Sequence, residues 1–211
     1  MVFLSSHEAY AGLKRLKNHV QVGILRKNAL QNLKLITWTA SHLYFQPIYV
    51  LSLSYMKMEF RKAIPEDAAL ILEFIRKLAE YERLSDLVVA DEATLREWIF
   101  EKGKAEVLFV LLEGEEVGYA LYFYNFSTFL GRAGLYIEDL YVKPEHRGKG
   151  CGKALFKEIA GIAAREGCGR VEWWCLDWNR PSIDFYKSFG AEAMDEWTVY
   201  RLAGDPLESL K

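Results

Sequence analysis

The chain has 211 residues, 51% hydrophobic and 14% aromatic, enough apolar material for a packed domain and too much for a globally disordered chain. Its formal charge of −2 joins two unlike parts: residues 1–57 hold seven Lys/Arg against the acid Glu8, and residues 58–211 hold 20 basic against 28 acidic residues. An acidic body argues against nucleic acid as partner and suits a small cationic molecule. The cysteines, Cys151, Cys168 and Cys175, are odd in number and lack C-x-x-C spacing, as expected of a cytoplasmic protein without a disulfide framework. The four histidines show no ligand spacing, so no metal is expected.

Taken in order, residues 1–57 are basic, with no cap or turn to organise them. The apolar run 43–55 is interrupted by Gln46 and Pro47 and is too short and polar for a membrane span. This segment reads as an N-terminal extension, disordered or outside the native domain, with an accessory or targeting role as alternatives. From Met58 the pattern is regular. A strand is predicted at 59–64, then a helix at 68–83 opened by Pro65, Glu66 and Asp67. Asp91 is placed to cap a second helix at 92–102. Residues 106–112 and 117–126 form a predicted hairpin around Glu113 and Gly114. A strand at 135–142, a helix at 150–166, a strand at 170–176 and a helix from Asn179 to Gly190 follow. One or two closing strands are predicted within 191–202. This order implies an α/β domain: a mixed, mostly antiparallel central sheet with helices on both faces, in three α-β-α layers.

The segment 137–156 is the organising stretch. A strand runs into a turn at Pro144, then into Gly148, Gly150 and Gly152 alternating with Lys149 and Cys151, and then into a helix. The first turn of a helix has unpaired N–H groups and partial positive charge, so residues 147–153 are predicted to hold a phosphate-bearing ligand. The spacing fits neither a P-loop nor G-x-G-x-x-G. It fits R-x-x-G-x-G from Arg147 to Gly152.

That motif, after an acidic strand and before an Asn/Tyr helix, resembles the GCN5-related N-acetyltransferases (GNAT). The resemblance covers about residues 58–203. It narrows at 78–82 (LAEYE), 135–139 (LYIED), 147–150 (RGKG) and 176–186 (LDWNRPSIDFY) to the spermidine/spermine N1-acetyltransferase-like subfamily, which includes diamine and thialysine acetyltransferases. It implies the GNAT fold, acetyl-CoA as co-substrate, direct attack by a primary amine of a small cationic metabolite in a ternary complex, and a homodimer. Acetylation of a protein or peptide amine and a non-catalytic acetyl-CoA-binding module are the alternatives.

The resemblance assigns Glu138 as base and Tyr186 as acid. Cofactor contacts fall to Leu140, Tyr141 and Val142 of the strand, to Arg147, Gly148, Lys149, Gly150, Cys151, Gly152 and Lys153 of the loop, and to Asn179, Arg180, Pro181, Ser182 and Tyr186. Substrate-side positions are Tyr81, Glu82, Glu138, Asp139, Glu172, Trp173, Trp174 and Glu196, with Asp195 beside the last. Strand alternation puts Glu138 and Asp139 on opposite faces, which excludes a shared role. The loop after the third strand carries Ser127 and Phe129 where polyamine enzymes carry an acid and a Trp. It looks more like the thialysine branch and is expected to select the substrate. Cys175 reads as a buried strand cysteine.

Overall fold

The protein is described from a computed structural model. The described residues are 57–211 together with the backbone of Leu33–Ile36 and Val50–Leu53. The chain divides into two compact units, Met1–Lys57 and Met58–Lys211. In the first, β1 (Leu33–Ile36) and β2 (Val50–Leu53) pair antiparallel, with Leu33 opposite Leu53. The rest of the expectation for 1–57 lies outside the described residues.

The second unit has a five-stranded sheet ordered β3 (Met58–Lys62), β4 (Glu106–Leu112), β5 (Glu115–Ser127), β6 (Arg132–Val142), β7 (Val171–Trp173). Every neighbouring pair is antiparallel except β6 with β7. The β4–β5 turn is Glu113-Gly114, at φ 54° and 85°, the left-handed pair that matches hairpin twist.

Helix α1 (Ala68–Glu82) lays Ile71 and Phe74 on Phe109, Tyr119 and Tyr141. It stops where Arg83 turns left-handed, at φ 61°. On β5, Gly118 and Ala120 alternate with Tyr119 and so face the other side, with Val142 opposite Gly118. There lies α3 (Cys151–Arg165), which buries Leu155, Phe156, Ile159 and Ile162. Burying four such side chains contributes roughly 1.5–3 kcal/mol each, before ordering costs. The sheet thus has a helix layer on each face, the predicted three layers.

Three expectations need correcting. Helix α2 begins at Glu92–Leu95, with Asp91 accepting from Thr94 N–H as predicted. It then widens into a π-helical turn over Arg96–Glu101, where Lys102 N–H reaches Glu97 C=O. Strand β7 keeps Val171–Trp173 of the predicted 170–176, because the chain beyond Trp173 leaves β6 and forfeits its ladder bonds. Residues 191–202 form no strand. Trp197, Val199, Tyr200 and Leu202 are exposed, so propensity without a pairing edge did not make a strand. Helix α4 (Arg180–Lys187) and the short α5 (Asp205–Glu208) complete the unit.

Candidate active site

Strands β6 and β7 pair through Leu135–Val171, Tyr136–Glu172 and Ile137–Trp173 and then part. β6 continues to Val142, while 174–178 moves away and leads into α4. The gap is a cleft of about 230 Å³. Its β6 wall has free backbone edges. Lys143 N–H bonds Val117 C=O of β5, so by alternation Tyr141 also turns its peptide groups to β5. Leu140 and Val142 therefore turn theirs to the open edge, where Arg147 Nε donates to Val142 C=O at 3.0 Å. Leu140 and Val142 offer N–H groups there, while the Tyr141 ring is buried beneath α1.

The strand is bulged at Glu138. Leu121 pairs with Asp139, but Tyr122 pairs with Ile137, which leaves Glu138 as an extra residue. This corrects the opposite-face argument: Glu138 and Asp139 line the same cleft, because alternation does not carry across a bulge. Glu138 is solvent-exposed. Asp139 is partly buried, and its Oδ2 accepts a short hydrogen bond from Tyr119 O–H. Burial raises the Asp139 carboxyl above the ordinary range, the Tyr119 bond pulls it back, and the charge of Glu138 pushes it up again. Glu82, at the end of α1, is raised by burial and then by Asp139. Three carboxylate residues, Glu82, Glu138 and Asp139, thus converge on one cleft.

Below the open edge, the glycine loop enters α3. Gly148 has φ 75° and Gly150, the N-cap of α3, φ 90°; a Cβ on either would meet nothing within 4 Å. Backbone conformation, not space, demands glycine at both. Gly152 has ordinary φ and lines the cleft. Cys151, beside it, is buried. The Arg147 guanidinium carbon lies 4.7 Å from the Tyr81 ring centroid, folded over the end of α1.

Across the cleft, Asn179 is buried and caps α4: its Oδ1 accepts from Ser182 N–H at 3.4 Å and from Tyr81 O–H at 2.9 Å. Tyr186 packs between Trp173, at 4.6 Å between ring centroids, and Phe156, at 5.6 Å. Burial, with Cys175 and Glu82 adding to it, keeps its phenol protonated well beyond the usual range. Cys175 is not a strand residue and is partly exposed along the cleft. Burial, Glu82 and Asp177 raise its thiol, which opposes thiolate chemistry.

Of the residues singled out from sequence, the cleft gathers Tyr81, Glu82, Glu138, Asp139, Leu140, Tyr141, Val142, Arg147, Gly152, Trp173, Trp174, Asn179, Pro181, Ser182 and Tyr186. Gly148, Lys149, Gly150, Cys151, Lys153 and Arg180 surround its mouth in sequence but do not line it. Glu172 is a correction. Its carboxylate is held by Asn125 Nδ2 at 2.9 Å and Arg170 Nε at 2.8 Å, away from the cleft. Glu196 also lies outside it, exposed in a turn. Ser127 is buried, its Oγ accepting from Leu130 N–H, and Phe129 is exposed. Their hairpin tip stands about 20 Å from Glu138 along β6, so within this chain it does not touch the cleft. Sequence reasoning missed Tyr119, whose link to Asp139 depends on the register of β5 against β6. Among the described residues, no group of three or more His, Cys, Asp or Glu is placed to hold a metal ion.

The comparisons agree with this geometry. The family model described as "Acetyltransferase (GNAT) family" matches residues 72–191. The thialysine N-epsilon-acetyltransferase of Bos taurus is 40% identical over 162 residues, spanning 71% of this chain and 95% of that protein. The L-ornithine N5-acetyltransferase of Arabidopsis thaliana is 31% identical over 201 residues, spanning 74% and 88%. An integron cassette protein from the mobile metagenome of V. cholerae superposes with a TM-score of 0.63 at 28% identity, over 74% of this chain and 98% of that one. A cleft formed by parted strands over a glycine-rich helix entry, together with these relatives, establishes that the chain belongs to the GNAT family of acetyltransferases and is an N-acetyltransferase.

Proposed function

We propose that the protein transfers the acetyl group of acetyl-CoA to a primary amine of a small cationic metabolite, of the thialysine, lysine-like, ornithine or di- and polyamine kind. The observation that carries this reading is the meeting of two unlike surfaces in one cleft. Glu82, Glu138 and Asp139 form an acidic wall, and one residue further along β6 begins a row of hydrogen-bond donors. The acids suit an ammonium group; the donors suit an anionic, amide-rich ligand. Leu140 and Val142 N–H groups would pair with the amide-bearing arm of acetyl-CoA, and the first turn of α3 with Arg147 would meet its phosphates. Acetyl-CoA supplies the activated thioester.

The residues then divide the proton work. Glu138, exposed at the bulge, takes a proton from the ammonium, directly or through water, so that the amine nitrogen gains its lone pair. That nitrogen forms the bond to the acetyl carbon as the carbon–sulfur bond breaks. Tyr186, protonated at working pH, gives its proton to the departing sulfur and is reprotonated, through water, by the second proton that the nitrogen sheds as it becomes an amide. Asn179 and Ser182 fix the start of the helix that carries Tyr186. The activities named for the similar proteins support the amine class. The unpaired cysteines fit action in the cytoplasm, and the resemblance supports a homodimer. Among the described residues, no helix is long and apolar enough to cross a membrane.

The test is a panel of thialysine, ornithine, lysine, spermidine and a lysine peptide, with release of free CoA as readout. Turnover of at least one small amine is expected. Acetyl-CoA binding with no turnover on any of them would refute the enzymatic reading of this cleft, and turnover of the peptide alone would refute the substrate class.

A further inference from the structure

Tyr119 lies in the apolar layer beneath α1, fully buried, its ring stacked on Phe74 at 5.0 Å and paired across the strands with Tyr141. A buried phenol needs a partner for its O–H. Here the partner is not a neighbour within the core but Asp139 Oδ2, at the floor of the cleft. The other titratable groups around Asp139 are acidic or neutral: Glu138 beside it on β6, Glu82 from α1, and Cys175 and Tyr186 across the cleft. The cations Lys77 and Arg147 act on Tyr141, further along β6.

We propose that Tyr119 is a positioning residue for acetyl transfer: its O–H fixes the Asp139 carboxylate at the cleft floor and keeps it ionised as counter-charge to the incoming ammonium. The inference rests on the reading of the cleft as an amine-acetylating site. A donated hydrogen bond favours the charged form of a carboxylate, whereas burial and the charges of Glu82 and Glu138 favour the neutral form. Without the phenol, Asp139 would retain its proton to higher pH, and the ammonium would meet an uncharged acid. Phenylalanine at 119 would keep the stack on Phe74 and remove only the donor.

Tyr119→Phe is therefore expected to move the acidic limb of kcat/KM for the amine upward by about one pH unit, the scale of a hydrogen bond to a charged group. Below that limb KM for the amine should rise about tenfold and kcat should change little. Well above it the variant should converge on the wild type. A purely structural role would lower kcat equally at every pH, and that result would overturn the proposal. In an Asp139→Asn background, Tyr119→Phe should no longer move the limb; a limb that still moves there would overturn the proposal. A readout without turnover separates this inference from the functional reading. In the full chain, the 13C signal of the Asp139 carboxyl should titrate about one unit higher in Tyr119→Phe than in wild type. Absence of turnover on any amine would count against the function, while an unchanged carboxyl midpoint would overturn the role of Tyr119 by itself.

Discussion

Gly150 and Gly152 stand two residues apart at the start of α3, and the structure requires them for different reasons. Gly150 has φ 90° with open space around its missing Cβ. Alanine there meets no clash but must adopt the left-handed region, at about 1–2 kcal/mol, offset by about 0.4–1 kcal/mol from a stiffer unfolded chain. The net loss is about 1 kcal/mol, or roughly 2–4 °C in Tm for a domain of this size. Gly152 sits within the helix at ordinary φ, and its Cβ would rest 3.7 Å from Val142 Cγ2, a normal contact. Alanine there should leave Tm unchanged or raise it by about 1–4 °C, since glycine inside a helix costs about 0.5–1 kcal/mol relative to alanine. Its methyl group would nevertheless project where the ligand approaches. Loss of one charge-assisted hydrogen bond corresponds to about 10–100-fold in acetyl-CoA affinity. Differential scanning calorimetry of both variants, with titration of acetyl-CoA, makes the comparison. Gly150→Ala should lose stability, and Gly152→Ala should keep stability and lose affinity. Equal destabilisation by the two substitutions would refute the backbone argument, and undiminished affinity in Gly152→Ala would show that the ligand does not lie over that turn.

Tyr186→Phe keeps the ring among Trp173, Phe156 and Phe185 and removes only the hydroxyl that carries the proton, so turnover should fall about 10²-fold or more with acetyl-CoA affinity nearly unchanged. An equal loss of affinity would make Tyr186 an anchor. The Asp139 carboxyl keeps its proton to higher pH folded than unfolded, so its contribution to stability is full below the unfolded value and is lost as pH rises through the folded one. Asp139→Asn should therefore raise Tm at pH 7, with the difference vanishing near pH 4; a lower Tm at pH 7 would show that the contacts of the charged carboxylate outweigh its burial and would refute the argument. A protein beginning at Met58 should keep its full kcat and KM in the amine assay, and a marked loss of either would give residues 1–57 a working role.

Local chemistry made much of this protein legible in advance. The helix at 68–83, the hairpin around Gly114 and the glycine entry to α3 each follow from residues within a few positions of one another, and the structure has all three. The π-helical turn at Arg96–Glu101 departs from a pattern that reads equally well as α-helix. What could not be read depends on partners far along the chain. Glu172 looks like a substrate carboxylate until Arg170 and Asn125 are seen to hold it. Residues 191–202 have the composition of a strand, but composition does not name an edge to pair with. Tyr119 looks like any core aromatic, because its bond to Asp139 depends on the register of two strands and on an unpaired residue between them.

That unpaired residue gives β6 two phases. Before Glu138 the odd positions Leu135 and Ile137 share a face with Tyr124 and Tyr122; after it the even positions Leu140 and Val142 share that same face with Ala120 and Gly118. The strand carries one residue outside the ladder, and pairing resumes beyond it in the register a strand without that residue would have. Substitution at 138 changes one side chain. Deletion at 138 would close the bulge into a regular ladder, with Asp139 still opposite Leu121 and Tyr141 still opposite Tyr119, so only the Glu138 side chain and the local bend would be lost. The bulge therefore adds a carboxylate to the cleft without disturbing the aim of its neighbours, and transplanting the cleft to another scaffold would require copying the bulge as well as the residues.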